Sequence, residues 1–386
     1  MSVFYKFETQ NKQVLPNSTS NERLYQIALT LLPNVGSVLA KNLVAYCGGA
    51  EAVFKTSKGK LEKIPGIGKE RADSIVTATV LEEAEAELVF IDKYNITPLF
   101  FTEENYPARL KKCNDSPILI YYKGNADLNA EKVVGIVGTR RATDYGKEVT
   151  KKLIADLKEH NVLIISGLAY GIDIAAHSAA LENNLKTVGV LGHGLNTIYP
   201  QQHKSIAKKM VEHGGLLTEY HSSNEMHPSN FPNRNRIVAG LCDAVVIVES
   251  AISGGAVLTA KIADSYNVDV LAYPGKSTDR FSAGCNSLIK SHRAKMMESA
   301  EDLLLEMNWV ASEMEKPQKR QQRQLEFVLS EPEQEVYNLL NGKNGLTIDA
   351  LSSSTEMNSS VLAATLLEME MNSILIALPG KRYKLL

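Results

Sequence analysis

The sequence lacks an apolar run long enough to cross a membrane, and its polar N-terminus lacks the hydrophobic segment of a secretory signal. Cysteine is scarce and widely spaced, without a C-x-x-C pair: Cys47, Cys113, Cys242 and Cys285. These absences exclude a disulfide-stapled secreted domain and argue against a structural zinc site. We therefore expect a cytoplasmic protein with no metal, no cofactor and no membrane partner.

A strong net charge is also missing, because the formal charge of the 386 residues is −2. This value neither requires nor excludes a polyanionic partner. Residues 131–300 carry 19 Lys and Arg against 16 Asp and Glu, whereas residues 330–386 carry 4 against 7. Any nucleic-acid surface is therefore expected in the middle of the chain, as a local patch.

The most regular part of the sequence begins with an apolar run at 133–137, which ends abruptly at a Gly-Thr-Arg-Arg stretch, 138–141. A helical pattern covers 144–160, and a second apolar run at 162–165 ends at a Gly-rich stretch, 166–173. This order predicts a βαβ unit of a parallel sheet. Ligands of such sheets bind at the carboxyl ends of the strands, where both loops lie.

The residues of these loops favour phosphate over a dinucleotide. No third glycine completes the dinucleotide pattern after Gly138, and Ser166-Gly167 stands where an acid would hold the ribose. Backbone N–H groups near helix starts and the adjacent guanidiniums of Arg140 and Arg141 suit a phosphate instead.

Further strands alternate with helical segments along the chain: 96–101, 118–122, 187–191, 216–218, 244–248 and 268–273. The fold class predicted is α/β, with an extended Rossmann-like, doubly wound parallel sheet. Nearly every strand ends in a loop of small residues at one edge of this sheet. Because neighbouring strands lie about 4.8 Å apart, such a rim is long enough for a chain of phosphates.

The length predicts two or three globular domains, flanked by polar segments. In chain order, the predicted parts are a disordered N-terminus at 1–20, a helical helix-hairpin-helix or SAM-like domain at 21–80, the Rossmann-like domain at 81–310, a linker at 311–330 and a winged-helix domain at 331–386. The Gly-rich turn at 64–68 fits either a phosphate-binding hairpin or a turn within a small helical bundle.

The winged-helix domain is predicted to dock a protein rather than DNA. Its would-be recognition helix, 358–371, carries Glu368 and Glu370 and no basic residue, which makes it a poor fit for a DNA groove.

Two later segments add candidate DNA contacts. The run 231–236 supplies an aromatic ring and two more guanidiniums before a helix predicted at 237–241, a combination typical of single-strand binding. Its arginines could instead form structural salt bridges, and Phe231 could belong to the core. The run 284–290 predicts a helix start capped by Asn286 or Ser287, with Lys290 one turn inside.

In this order the motifs resemble those of one family, the bacterial DNA-processing protein DprA, also called Smf. They are 138–141, 166–173, 191–200, 231–236, 253–255 and 284–289, and the resemblance spans about 95–300. It implies an extended Rossmann-like domain that binds single-stranded DNA without catalysis. It also implies a homodimer that loads the RecA recombinase onto incoming strands during natural transformation.

The resemblance assigns roles to individual residues. Arg140, Arg234, Arg236 and Lys290 become phosphate contacts, Phe231 a stacking residue, and Ser166, Gly167 and Gly171 a backbone cradle. The complete predicted DNA-binding set is Gly138, Thr139, Arg140, Arg141, Ser166, Gly167, Gly171, Phe231, Arg234, Asn235, Arg236, Ser253, Gly254, Gly255, Asn286 and Lys290.

Two other functions remain open from the sequence. A nucleotide-processing enzyme of the phosphoribohydrolase type would need a glutamate in the loop at 253–260, and this loop has no acid. Asp173 and His177 lie four residues apart on one predicted helix and could bind a metal, or could be a helix cap and a core or surface histidine. The second of these functions is a sensor for a small nucleotide, with the winged helix as output.

Overall fold

The computed structural model describes residues 17–309, 329–341, 345–355, 357–372, 374–378 and 382–385. The chain divides into two compact units, Met1–Val310 and Ala311–Leu386. The predicted disordered N-terminus lies outside the described residues up to residue 16, but a helix already begins at Asn17. The predicted linker lies outside them apart from residues 329 and 330.

The first unit opens with a helical layer: α1 (Asn17–Thr30), α2 (Ser37–Cys47), α3 (Ala50–Lys55), α4 (Lys58–Leu61), α5 (Lys69–Val76) and α6 (Leu81–Lys93). The turns before α2 and α5 each contain a residue with positive φ, Asn34 at 60° and Gly66 at 82°. Arg71 donates to the carbonyl oxygens of both residues, at 3.3 and 2.9 Å. Its guanidinium therefore ties the two hairpin turns together.

The helical layer shares its hydrophobic core with the sheet that follows. Ile27 and Leu43 of the helices belong to the same buried cluster as Leu119 and Leu216 of the strands. The boundary predicted at residue 80 therefore falls inside one compact unit.

The nine strands of residues 97–296 are β1 (Thr97–Phe100), β2 (Leu119–Gly124), β3 (Val133–Val137), β4 (Leu163–Ser166), β5 (Thr187–Val190), β6 (Gly214–Thr218), β7 (Ala244–Ile247), β8 (Asp269–Ala272) and β9 (Lys295–Met296). They form one sheet in the order β1-β2-β6-β5-β4-β3-β7-β8-β9. Strands β3 to β9 are parallel, and β1 and β2 form an antiparallel edge. The doubly wound sheet predicted from the sequence is confirmed, and its order reverses at β3.

Helices cover both faces of this sheet: α7 (Ala108–Lys111), α8 (Asp144–Asp156), α9 (Ile172–Glu182), α10 (Lys204–Glu212), α11 (Asn230–Gly240), α12 (Gly255–Ser265), α13 (Ala283–Lys290) and α14 (Ala300–Glu306). Alternate residues of β3 enter different cores, since Val133 and Val137 join one buried cluster and Val134 and Ile136 another. This double burial explains the uninterrupted apolar run in the sequence.

The second unit contains α15 (Glu331–Leu340), α16 (Ile348–Ser354) and α17 (Ser359–Met371), with strands β10 (Leu346–Thr347), β11 (Leu375–Leu378) and β12 (Arg382–Leu385). The strands pair antiparallel in the order β10-β12-β11. Leu362 and Leu366 of α17 share a buried cluster with Val336 and Leu375. This is the helix and hairpin arrangement predicted for a winged helix. Within the described part of the chain, no helix has both the length and the apolar character needed to cross a bilayer.

Candidate nucleic-acid interface

A cleft of ≈ 550 Å³ lies at the carboxyl ends of β3, β4 and β7, where the strand order reverses. Three exposed basic side chains line it: Arg140, Arg141 and Arg280. Gly254 and Gly255, at the start of α12, line it too, so the positive end of that helix faces the cleft. Such an opening suits an anion.

The loop that carries Arg140 is held from both sides. The Thr139 N–H donates to the carbonyl oxygen of Glu249 at 2.7 Å, and the Ile172 N–H donates to the Thr139 carbonyl oxygen at 3.2 Å. Gly171 has φ 82°, and a Cβ at this position would overlap that same Thr139 oxygen. Gly171 therefore contributes by allowing two loops to touch, which fixes the position of Arg140.

Arg140 also contacts an aromatic ring. Its guanidinium carbon lies 5.8 Å from the ring centroid of the half-buried Phe231, a cation–π distance. The predicted combination of arginine and aromatic ring is thus brought together by tertiary structure, but with Arg140 rather than with the arginines next to Phe231 in the sequence.

Helix α11 begins at Asn230, seven residues before the predicted start at Ile237. The run 231–236 is therefore helical, and residues three and four apart share a face. Phe231, Arg234 and Asn235 line the cleft, whereas Arg236 points elsewhere.

Arg234 lies in the floor of the cleft and is only 4% exposed. Its guanidinium donates to the carbonyl oxygen of Gly167 at 2.5 Å and to that of Val190. Burial raises the pKa of the neighbouring Asp173, and the charge of Arg234 opposes this rise. Arg234 thus ties the ends of β4 and β5 together, and its phosphate contact stays a prediction.

Arg236 forms an ion pair with Glu219, and both side chains are mostly buried. Burial raises the pKa of Glu219, while the charge and hydrogen bond of Arg236 lower it. Arg236 does not line the cleft. The alternative of a structural salt bridge therefore replaces the predicted phosphate contact.

Helix α13 begins at Ala283, so Asn286 lies inside it rather than at its cap. The Asn286 amide accepts from the Gly275 N–H at 3.1 Å and donates to the Gly275 carbonyl oxygen at 2.9 Å. Lys290 is the last residue of the helix, exposed and outside the cleft lining. The predicted capping role of Asn286 is wrong, because the helix starts earlier than the sequence indicated, whereas the DNA contacts at Asn286 and Lys290 stay predictions.

Two serines of the predicted set also lie outside the cleft lining. Ser166 is fully buried, and its hydroxyl donates to the carbonyl oxygen of Ile136 at 2.6 Å. Ser253 is exposed on the loop before α12. Ser166 therefore joins neighbouring strands and does not present its hydroxyl to a ligand.

Sequence reasoning missed Arg280 and Phe281, which line the cleft from the loop between β8 and α13. The Phe281 carbonyl oxygen accepts from the Ser250 N–H at 2.6 Å, which holds this loop against the end of β7. A basic residue followed by an aromatic, after a strand end, is the signal that could have identified the pair.

The acids that an enzyme or a metal site would use, Glu249 and Asp173, both accept hydrogen bonds from the protein, although Asp173 also lines the cleft. The Glu249 carboxylate accepts from the N–H and the hydroxyl of Thr143, at 3.0 and 2.5 Å, and so supports the start of α8. His177 is fully buried with its Nδ1 2.7 Å from the Thr187 hydroxyl, while Asp173 accepts from the Ala169 N–H at 3.3 Å. In the described residues, no group of three or more metal-ligating side chains converges.

Comparison with known families identifies the family to which this fold belongs. Residues 97–308 match the family model of the DNA recombination-mediator protein A, and residues 317–381 match that of the DprA winged helix domain. The chain belongs to the DprA family. Both predicted parts of the fold, the Rossmann-like sheet and the winged helix, are therefore DprA domains.

DprA proteins of several bacteria resemble this chain. The putative DNA processing protein DprA of Mycobacterium tuberculosis is 34% identical over 323 residues, which cover 80% of this chain and 81% of that protein. The DNA processing protein DprA of Streptococcus pneumoniae is 39% identical over 207 residues, covering 54% of this chain and 73% of its own.

Two solved DprA structures share the fold. The DprA structure from Streptococcus pneumoniae matches with a TM-score of 0.62 and 31% identity, covering 73% of this chain and 97% of that one. The DNA processing protein A of Helicobacter pylori, described for its single-stranded DNA binding mode, matches with a TM-score of 0.50 and 28% identity. That match covers 55% of this chain and 95% of the Helicobacter chain.

Proposed function

We propose that this protein binds single-stranded DNA in the cleft at the carboxyl ends of β3, β4 and β7, and makes or breaks no covalent bond there. The observation that carries the proposal is that the exposed guanidiniums of Arg140, Arg141 and Arg280 line the same cleft as the start of α12. Guanidiniums and helix N-termini are the groups that bind phosphate oxygens. The described DNA-binding mode of the Helicobacter pylori relative supports it.

The aromatic ring at the cleft favours an unpaired strand over a duplex. Phe231 stands beside Arg140 at the cleft wall. A base can stack on such a ring only when it is free of its partner, because the bases of a duplex are stacked on each other. Phosphates would lie against the arginines while one or more bases turn toward Phe231.

A titration tests this proposal. A fluorescent dT oligomer and a duplex of equal length are titrated with the full-length protein at two salt concentrations. We expect tighter binding of the single strand and a steep loss of affinity as salt rises, because bound cations are released from the DNA. Preferential binding of the duplex would contradict the proposal.

The alternative of a nucleotide-processing enzyme is tested with the same protein preparation by measuring the turnover of nucleotides. Nucleoside monophosphates are incubated with the protein and analysed by chromatography, beside the Glu249→Gln variant. Because the Glu249 carboxylate bonds to Thr143 rather than lining the cleft, we expect no turnover by either protein. Turnover that disappears in the variant would favour a nucleotide-processing enzyme.

We further propose that the protein acts as a homodimer, protects the incoming strand and loads the RecA recombinase onto it. The support is the family itself, whose name is recombination-mediator protein A. RecA filament formation on DNA covered by a single-strand-binding protein would be followed by fluorescence. We expect faster filament growth in the presence of this protein, and an unchanged rate would contradict the mediator role.

The winged helix is proposed as a protein-docking element. Glu368 and Glu370 are exposed on α17, where a DNA-reading winged helix would need basic side chains. Charge reversal at both positions is expected to leave DNA affinity unchanged while weakening the response of the protein partner, for which RecA filament growth is the first readout.

A further inference from the structure

An aromatic surface continues from the cleft toward the carboxyl end of β5. Phe231, which lines the cleft, has its ring centroid 5.8 Å from that of Tyr199, with 51° between the two ring planes. Tyr199 is 49% exposed, a high value for an aromatic ring in contact with another. The 51° tilt shows that Phe231 does not stack flat on Tyr199, and about half of the Tyr199 side chain is accessible to solvent.

Tyr199 is held in place by a buried histidine. His193 is 2% exposed, and its Nε2 accepts from the Tyr199 N–H at 3.3 Å. Its Nδ1 lies 2.9 Å from the Gly194 carbonyl oxygen, which requires the proton on Nδ1. Burial lowers the pKa of His193, so the ring is neutral and both hydrogen bonds persist together at neutral pH.

The Phe231 ring packs closely against the backbone of Gly192. A Cβ at Gly192 would lie 3.0 Å from the Phe231 Cδ1, tighter than an ordinary carbon contact. The absence of a side chain at Gly192 therefore allows the Phe231 ring to lie over the end of β5, next to Tyr199.

We infer that Tyr199 is a base-stacking platform, which extends the DNA site beyond the cleft along the rim of the sheet. This inference rests on the proposed function, since it concerns the same strand of DNA. The Arg140 guanidinium carbon and the Tyr199 ring centroid each lie 5.8 Å from the Phe231 ring centroid. With a phosphate bound at Arg140, the neighbouring base would meet the exposed Tyr199 side chain, whose backbone is already held by His193 and so loses little freedom on binding.

Titrations of two protein variants with two oligomers separate base stacking on Tyr199 from phosphate contact. Wild-type protein and Tyr199→Ala are each titrated with a dT oligomer and with an abasic oligomer of the same length, which has phosphates and no bases. We expect Tyr199→Ala to weaken the dT complex about tenfold and to leave the abasic complex unchanged. The salt dependence of dT binding should stay that of the wild type, because no phosphate contact is removed.

Three further variants complete the test. Tyr199→Phe keeps the ring and is expected to bind as the wild type does. Tyr46→Ala removes a 64% exposed tyrosine from α2, in the helical layer, and should change nothing. Tyr199→Trp adds an emitter to a protein whose sequence has one tryptophan, and its emission should be quenched by dT well beyond the wild-type response.

The outcomes distinguish the stacking role of Tyr199 from the proposed binding of single-stranded DNA in the cleft. If the wild type binds dT but Tyr199→Ala binds it equally well, or loses affinity equally for both oligomers, the stacking role is overturned and the cleft remains. An unquenched Tyr199→Trp overturns it as well, whether or not Tyr199→Ala folds. If the wild type binds neither oligomer, the proposed function fails first and the inference fails with it.

Discussion

Arg234 and Gly167 are joined by a hydrogen bond of 2.5 Å, from a buried guanidinium to the carbonyl oxygen at the end of β4. The same guanidinium donates to the Val190 carbonyl oxygen at the end of β5. One side chain thus holds two neighbouring strand ends at the floor of the cleft. The shape of the cleft depends on this contact, although the arginine itself is nearly inaccessible.

Replacing Arg234 with methionine should therefore lower the free energy of unfolding by about 3 kcal/mol, because two buried carbonyl oxygens lose a charged donor. Urea unfolding measures the loss. Arg141→Met, at an exposed position of the same cleft, is the matched control and should stay within about 0.5 kcal/mol of the wild type. Equal stability of the two variants would show that Arg234 has no structural role.

Gly171→Ala should destabilise the protein and weaken DNA binding together. The residue has φ 82° and its new Cβ would overlap the Thr139 carbonyl oxygen, so the Arg140 loop must move. We expect a stability loss of about 1–3 kcal/mol in thermal or urea unfolding. Gly255→Ala is the control for stability, since no atom lies within 4 Å of its Cβ position. A Gly171→Ala variant as stable as Gly255→Ala would contradict the close approach of the two loops.

Arg140→Ala should weaken single-strand binding to the same degree for oligomers of any sequence, because a phosphate contact carries no base information. The slope of log affinity against log salt should become shallower by about 0.7, the value for one phosphate of a single strand. Arg236→Met should keep the wild-type slope, since Arg236 pairs with Glu219 away from the cleft. A wild-type slope for Arg140→Ala together with a shallower slope for Arg236→Met would place the DNA on another face of the protein.

Stability should fall in mild acid partly because of His177. Burial lowers the pKa of His177 to about 3 from 6.5. Between these values the unfolded chain binds a proton that the folded protein rejects, so unfolding is favoured as pH drops, by up to about 1.4 kcal/mol per pH unit. His177→Gln keeps an amide donor for Thr187 and should flatten the dependence of the unfolding free energy between pH 6 and 4. Identical slopes in variant and wild type would contradict the neutral buried imidazole.

Truncation after residue 310 should leave the affinity for a dT oligomer within about twofold of the full chain, a difference below 0.5 kcal/mol. The lining of the cleft lies between Val137 and Phe281, inside the first compact unit. Fluorescence anisotropy of the truncated and full-length proteins measures the effect. A large loss would assign DNA contacts to the winged-helix unit.

Much of the architecture could be predicted from the sequence, because its signals are local. Apolar runs buried on both faces identify parallel strands, and small residues after them identify the loops at the carboxyl edge. The βαβ unit and the doubly wound sheet were predicted on these grounds, and the winged helix from a pattern of three helices and a hairpin. The sequence also predicted an anion site at the Gly-Thr-Arg-Arg turn, and that turn lines the cleft.

Only the tertiary structure decided which arginines are exposed to solvent and which are bound to other groups of the protein. Arg234 and Arg236 are two residues apart and look equivalent in sequence, but helix α11 begins before both and turns them to different neighbours. The sequence therefore determined which strands and loops form the rim, because backbone preferences act over a few residues. Whether each side chain reaches solvent, a carbonyl or a carboxylate depended on packing between segments far apart in the chain, and no local pattern encodes that packing.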